Sequence, residues 1–176
     1  MASQFIHITL PDGTRKQVPA GCTVREALTP EGGRLDAKVL AAKINGEPMD
    51  LSRPLEQDAT IEPLTFESAE GREVYRHSST HIMAQAVKEV FPTAQLTIGP
   101  ALDDGFYYDF AFDRPFTPED LEKIEARAIE IMKRGLTVTR SELSKQDAIK
   151  FFQERGEGYK VELINSFDDA SPISLY

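Results

Sequence analysis

Residues 6–28 read IHITLPDGTRKQVPAGCTVREAL, and the succession of patterns in this stretch sets the architecture of the first part of the chain. Ile6, Ile8 and Leu10 alternate with His7 and Thr9, the two-residue period of a strand with one buried face. Pro11-Asp12-Gly13-Thr14 turns the chain, because proline presets φ and glycine accepts a positive one. Arg15–Pro19 returns as the second strand of a hairpin. Thr23-Val24-Arg25-Glu26 is a capping box: hydroxyl and carboxylate each satisfy a free backbone N–H at a helix start. The spacing predicts a short helix through Leu28. Working outward, Lys38–Ile44 reads as a strand, Asn45-Gly46 as a tight turn, Glu47–Leu51 as its return and Ala59–Leu64 as a last strand. Hairpin, helix and further strands in this order predict a small β-grasp, ubiquitin-like sheet over 1–66.

The texture changes at Phe66–Gly71, so a second domain is expected over 67–176. A helix from Ser68 to Phe91 is stopped by Pro92. Gln95–Ile98 and Phe106–Phe112 read as strands around the turn-rich segment 99–105. Thr117-Pro118-Glu119-Asp120 starts a helix that runs to Lys133-Arg134 and stops at Gly135. Leu136–Leu143 alternates as a strand, and Ser144–Arg155 is a helix closed by Gly156. The expected class is α+β.

Composition narrows the field. The 176 residues are 40% hydrophobic and 28% charged, which argues for a globular chain and against global disorder. No apolar run is long enough for a membrane helix, and the N-terminus lacks the basic-then-apolar pattern of a secretory signal. One cysteine, Cys22, excludes an intramolecular disulfide scaffold and fits a reducing cytoplasm, the expected location. The net charge of −9 rules out a generally basic nucleic-acid glove but not local RNA contact. Seven basic and nine acidic residues fall in 1–66, against 13 and 20 in 67–176, so the acidity is concentrated in the second domain.

Chemistry concentrates in three segments. In Arg76-His77-Ser78-Ser79-Thr80-His81 the two histidines are four apart, so both imidazoles leave one face of the helix. On a helical wheel they lie about 40° apart with Lys88 between them, while Ser79, Met83, Ala86, Val87 and Val90 centre on the opposite side. Such a pair can bind a metal, position a water or serve as base and hydrogen-bond donor; its competing reading is a solvated helix face. The metalloprotease pattern needs Glu after the first histidine, and Ser78 stands there. A catalytic zinc usually takes three protein ligands, and Asp103 or Asp104 is a candidate third, though no spacing demands it. The second segment, Ile98–Asp109, ends in Phe106-Tyr107-Tyr108, with Phe106 and Tyr108 expected on one strand face. It reads as aromatic core or as a pocket wall offering a phenol. In the third, Arg155-Gly156-Glu157-Gly158-Tyr159-Lys160, two glycines loosen the backbone. Lys160 is there either a surface side chain or a group for an oxyanion or phosphate. The charge-rich 119–134 helix reads as a solvated face.

Together and in this order, the PDG turn, the Asn45-Gly46 hairpin, RHSSTH, IGPALDDGFYYDF and RGEGYK resemble the N-terminal region of the bacterial threonyl-tRNA synthetase family. The resemblance implies a TGS domain followed by an editing domain of the threonyl/alanyl type. Alanyl-tRNA synthetases lack the leading TGS module and the GFYYD run, and TGS domains also precede unrelated catalytic units. The implied activity is proofreading by hydrolysis of seryl-tRNA(Thr), within a parent that joins threonine to its tRNA using ATP. His77 and His81 then match the paired histidines of the editing site, Lys160 its lysine and Tyr108 an aromatic pocket residue. In the family an acidic residue and a C-x-x-x-H element complete the site downstream, so the resemblance implies a chain cut short on that side, with little editing of its own. No metal or cofactor is expected in this part; ATP, Mg²⁺ and a zinc belong to the parent's catalytic domain. The implied partners are threonine tRNA and the rest of the synthetase, with no membrane contact and a parent homodimer formed through other domains. Two rivals remain: a non-catalytic RNA- or partner-binding module contacting through the β-grasp part, and an independent zinc hydrolase.

Overall fold

The computed structural model describes residues 4–102, 104–168 and 172–176. The chain divides into two compact units, Met1–Arg76 and His77–Tyr176, with the division inside a helix. Asp103, one of the candidate third ligands, lies outside the described residues.

The first unit holds β1 (Phe5–Thr9), β2 (Arg15–Pro19), α1 (Val24–Leu28), β3 (Val39–Ile44), β4 (Glu47–Met49) and β5 (Ala59–Thr65). They form one five-stranded sheet in the order β2-β1-β5-β3-β4. β1 and β5 run parallel at its centre, and every other pairing is antiparallel. This is the expected β-grasp. The alternation of β1 sends Ile6 and Ile8 inward and leaves Phe5 and His7 exposed. They meet Val24, Ala27 and Leu28 of α1, together with Ala42, Ile44, Leu51, Leu55 and Ile61. Each fully buried Ile, Val or Leu contributes about 1.5–3 kcal/mol through apolar area removed from water. The Thr23/Glu26 capping box forms, and Asn45 and Gly46 both take positive φ, 52° and 92°, as a two-residue hairpin turn requires.

Helix α2 (Ala69–Val90) follows β5. Ser68 accepts at Oγ from the Gly71 N–H, and Lys43 of β3 pairs with Glu70 in the first turn. At Gly71 a Cβ would stand 1.9 Å from the Thr65 carbonyl oxygen, so only glycine fits where the helix meets the end of β5.

The second unit carries the rest of α2, then β6 (Gln95–Leu96), β7 (Ala101–Leu102), β8 (Gly105–Phe106) and β9 (Phe110–Ala111). α3 (Pro118–Lys133), β10 (Ser141–Leu143), α4 (Lys145–Gln153), α5 (Gly158–Asn165) and β11 (Ile173–Leu175) follow. Its main core joins Ala86 and Val87 to Ala94, Ile124 and Ile131, flanked by Phe91, Phe110, Phe112 and Phe116. On α2, Ala84, Ala86 and Val87 are buried with Thr80, while Ser79, Met83 and Val90 are only half-buried. A smaller core gathers Ala148, Ile164 and Ile173.

Three expectations fail here. The single strand 106–112 is two short ones: β8 pairs with β7 and β9 with β6, so the chain changes partner between them. The strand 136–143 shrinks to Ser141–Leu143, which pair antiparallel with β11, and Leu136 and Val138 are exposed. The segment from Gly158 is helical, with Lys160 in its first turn. A glycine start is a poor helix signal, and packing of Ile164 supplies what propensity lacks.

α3 offers a pH test. Its N-cap Thr117 and Asp120 form a reciprocal capping box, and Asp120, 3% exposed, also receives Arg114 at 2.5 Å. The Arg114 hydrogen bond first, then the Thr117 N–H, hold the Asp120 carboxyl far below the ordinary carboxylate range. A depressed folded pKa contributes stability that is present above the unfolded value of 3.8 and lost as pH falls below it. Asp120→Asn is therefore expected to destabilise the chain near neutrality, with the gap to wild type closing below about pH 4. Denaturant melts across that range measure it; a pH-independent gap contradicts it.

Candidate functional site

Helix α2 presents His77 and His81 one turn apart, as their spacing requires, with the two Nε2 atoms 3.0 Å apart and the rings edge to face. One ring donates and the other accepts, so the pair shares a proton across the contact. Thr80, between them and buried, donates its hydroxyl to the His77 carbonyl. Burial, then the charges of His77 and Lys160, push the His81 pKa below its ordinary value of 6.5. His81 is therefore neutral at pH 7 and able to accept a proton.

Lys160 enters from α5. Its Nζ donates to the Thr97 carbonyl at 3.1 Å and to the Tyr108 hydroxyl at 3.5 Å. Among the described residues these engage two of the three ammonium donors. Burial lowers the Lys160 pKa, and Glu157 partly offsets it. Tyr108 is half-buried, its phenol pKa raised first by burial and then by Glu157. It stacks on Phe110 at 4.7 Å. The backbone runs Thr97 to Asp109 in register, fixing the segment that carries Tyr108.

The structure thus joins Lys160 directly to Tyr108 and places its charge within electrostatic reach of His81. Lys88, on the wheel with the histidines, turns instead to Glu157, at 2.9 Å. Glu157 went unnoticed in the sequence, as did the role of Gly99. A Cβ at Gly99 would lie 2.2 Å from Tyr108 Cδ2, so the ring rests on bare backbone there. Gly99→Ala is expected to dislodge Tyr108 and return its phenol toward an ordinary titration, since the ring can swing where a backbone atom cannot. Tyrosine-labelled NMR titration measures this; an unmoved Tyr108 resonance sinks it.

Among the described residues no group of three or more His, Cys, Asp or Glu converges in a geometry that could hold a metal. The histidine pair supplies two of the three ligands a catalytic zinc usually takes. A concave apolar patch lined by Lys38, Leu40, Thr65, Phe66, Glu67 and Tyr75 belongs to the first unit and holds no histidine or cysteine. Among the described residues no helix is long and apolar enough to cross a membrane.

The β-grasp sheet and its capped helix define a class: residues 6–65 match the TGS domain, and the first unit carries one. The match to curated relatives extends much further. The chain is 51% identical to the threonine–tRNA ligase of Symbiobacterium thermophilum over 174 residues, 99% of this chain and 27% of the relative. It is 48% identical to that of Citrifermentans bemidjiense over 171 residues, 97% of this chain and 27% of the relative. For Acetivibrio thermocellus the figures are 47% over 172 residues, 98% and 27%. By sequence the chain belongs with the N-terminal region of the bacterial threonine–tRNA ligases. It spans about a quarter of the length of the relatives it matches.

Proposed function

We propose that the second unit is the editing part of a threonine–tRNA ligase, contributing to hydrolysis of serine wrongly esterified to threonine tRNA. The observation that carries this reading is a hydrogen-bonded histidine pair, with the His81 pKa lowered by burial, His77 and Lys160, beside a half-buried ammonium that holds a phenol. That set suits hydrolysis of an ester. A water attacks the carbonyl carbon and gives its proton to a ring nitrogen of the pair that lies outside the Nε2 contact, and the contact orients that ring. Lys160 offers its remaining donor to the oxyanion that develops. The intermediate collapses by breaking the bond to the tRNA's terminal ribose oxygen, which takes the proton. Tyr108 holds Lys160 through its hydroxyl.

The need follows from the similarity of the two amino acids. Serine lacks only a methyl, and a missing methyl discriminates by about 1–3 kcal/mol, or roughly 10–200-fold. A second pocket that threonine's methyl blocks adds the rest. Attachment of threonine with ATP, Mg²⁺ and zinc, and dimer formation, belong in this proposal to other parts of the parent. So does the family's downstream C-x-x-x-H half of the site.

The test is deacylation of labelled seryl-tRNA(Thr) by this chain and by a chain extended to the length of the relatives. The extended chain is expected to release serine and to spare threonyl-tRNA. The 176-residue chain is expected to release little. Equal release of serine and threonine by the extended chain rejects the editing reading.

A further inference from the structure

The second unit contains an ion pair with a buried carboxylate that the proposed hydrolysis does not use. Glu157 is 8% exposed and is the N-cap residue of α5, yet its side chain makes no capping hydrogen bond. Its Oε1 receives Lys88 Nζ at 2.9 Å, and among the described residues Oε2 receives nothing. Lys88 also donates to the carbonyls of Pro92, at 3.1 Å, and Ala94, at 3.0 Å. All three of its donors are thereby spent on a knot. The knot ties the end of α2 to the segment entering β6 and to the N-cap of α5.

That location matters because of what hangs from each strand of the knot. α2 carries His77 and His81. The segment after Ala94 leads to Thr97, whose carbonyl receives Lys160. α5 carries Lys160 itself, three residues beyond Glu157. We propose that Lys88 and Glu157 are positioning residues for Lys160: the buried carboxylate, anchored by Lys88, fixes the first turn of α5 and faces the Lys160 ammonium with a negative charge. The role of Lys160 in hydrolysis rests on the editing reading; its dependence on the Lys88–Glu157 pair does not.

Among the described residues, Lys160 interacts electrostatically with Glu157 at the N-cap of α5 and His81 on α2, and hydrogen-bonds Tyr108 between β8 and β9; His81 is followed on α2 by Lys88, and His77 precedes it. Of these only Glu157 brings a negative charge at neutral pH. It opposes the loss of the Lys160 proton that burial favours, and it raises the Tyr108 phenol. A purely structural pair would hold α5 in place without moving either titration.

The experiment follows the Lys160 amine by NMR of lysine-labelled 176-residue chain, its signal assigned by loss in Lys160→Arg. In Glu157→Gln, which keeps the side-chain shape, the Lys160 titration is expected to move to lower pH. Glu157→Asp is expected to restore it in part. An unmoved titration in folded Glu157→Gln overturns the proposal. Wild-type protein gives a check that needs no substitution. The Glu157 carboxyl carbon is expected to shift again as Lys160 loses its proton, and a flat Glu157 signal through that step overturns the proposal equally. In the extended chain, Glu157→Gln is expected to slow seryl-tRNA deacylation by roughly tenfold and to bring the alkaline limb of the pH profile lower, since a displacement on the order of 1 Å costs up to about 10²-fold. If wild-type extended chain releases no serine while the Lys160 titration moves as stated, the editing reading fails and the positioning role stands.

Discussion

Replacing His77 by alanine in the extended chain is expected to lower the rate of serine release from seryl-tRNA(Thr) by about 10²–10⁴-fold, the range of general acid–base assistance. The argument is the 3.0 Å Nε2 contact. Without His77, the His81 ring loses the partner that shares its proton and orients it. It also loses one of the influences that depress its pKa, the others being burial and Lys160. Two readouts therefore change together. The rate falls, and the acid limb of the residual profile moves to higher pH, toward the ordinary histidine range. Threonine attachment is expected to be nearly unchanged, because the proposed reading places that chemistry in other parts of the parent. Full serine release by the His77→Ala variant returns that histidine to a solvated helix face.

The second large effect is on the first unit. Gly71→Ala places a Cβ 1.9 Å from the Thr65 carbonyl oxygen and 2.6 Å from its carbon. Both atoms are backbone at the end of β5, which is hydrogen-bonded into the sheet through β1 and β3. No rotamer relieves such a contact; the start of α2 or the strand end must shift. The Ser68 Oγ bond to the Gly71 N–H sits at the same place and is strained with it. Overpacking of this kind costs about 1–3 kcal/mol or more. Each kcal/mol moves the melting midpoint of a domain this small by about 4–8 °C. Calorimetry of Gly71→Ala is expected to show the TGS-containing unit melting several degrees earlier; an unchanged melt contradicts the contact. Gly99 is the informative contrast. Its neighbour is a swinging tyrosine ring, so alanine there is expected to disturb the site more than stability.

Much of this protein was legible residue by residue. The alternation of Ile6 and Ile8, the Thr23 capping box, the helix start at Thr117, the Asn45-Gly46 turn and the stop at Gly135 each agree with the sequence. The shared helix face of His77 and His81 did too. All depend on partners within a few positions, so intrinsic backbone preference and side-chain spacing determine them before anything packs. The resemblance carried by RHSSTH, GFYYD and RGEGYK supplied the names Tyr108 and Lys160, but no reason within the residues themselves for the two to meet.

Only the folded chain brings them together. Lys160 reaches Tyr108 across 52 positions and Thr97 across 63. Lys88 meets Glu157 in the same way, and neither partner has a local signal pointing to the other. The failed expectations share this cause. Whether 106–112 continues as one strand depends on which neighbour accepts its hydrogen bonds, and β6 and β7 accept different ends. Which residues of 136–143 form a strand depends on a distant partner, and Ser141–Leu143 are the ones that meet β11. Whether Gly158 begins a helix depends on burial of Ile164, since glycine at a helix start offers no propensity. Local chemistry wrote the elements. Long-range pairing and burial, which no short window contains, set the strand lengths, started α5 and assembled the candidate site.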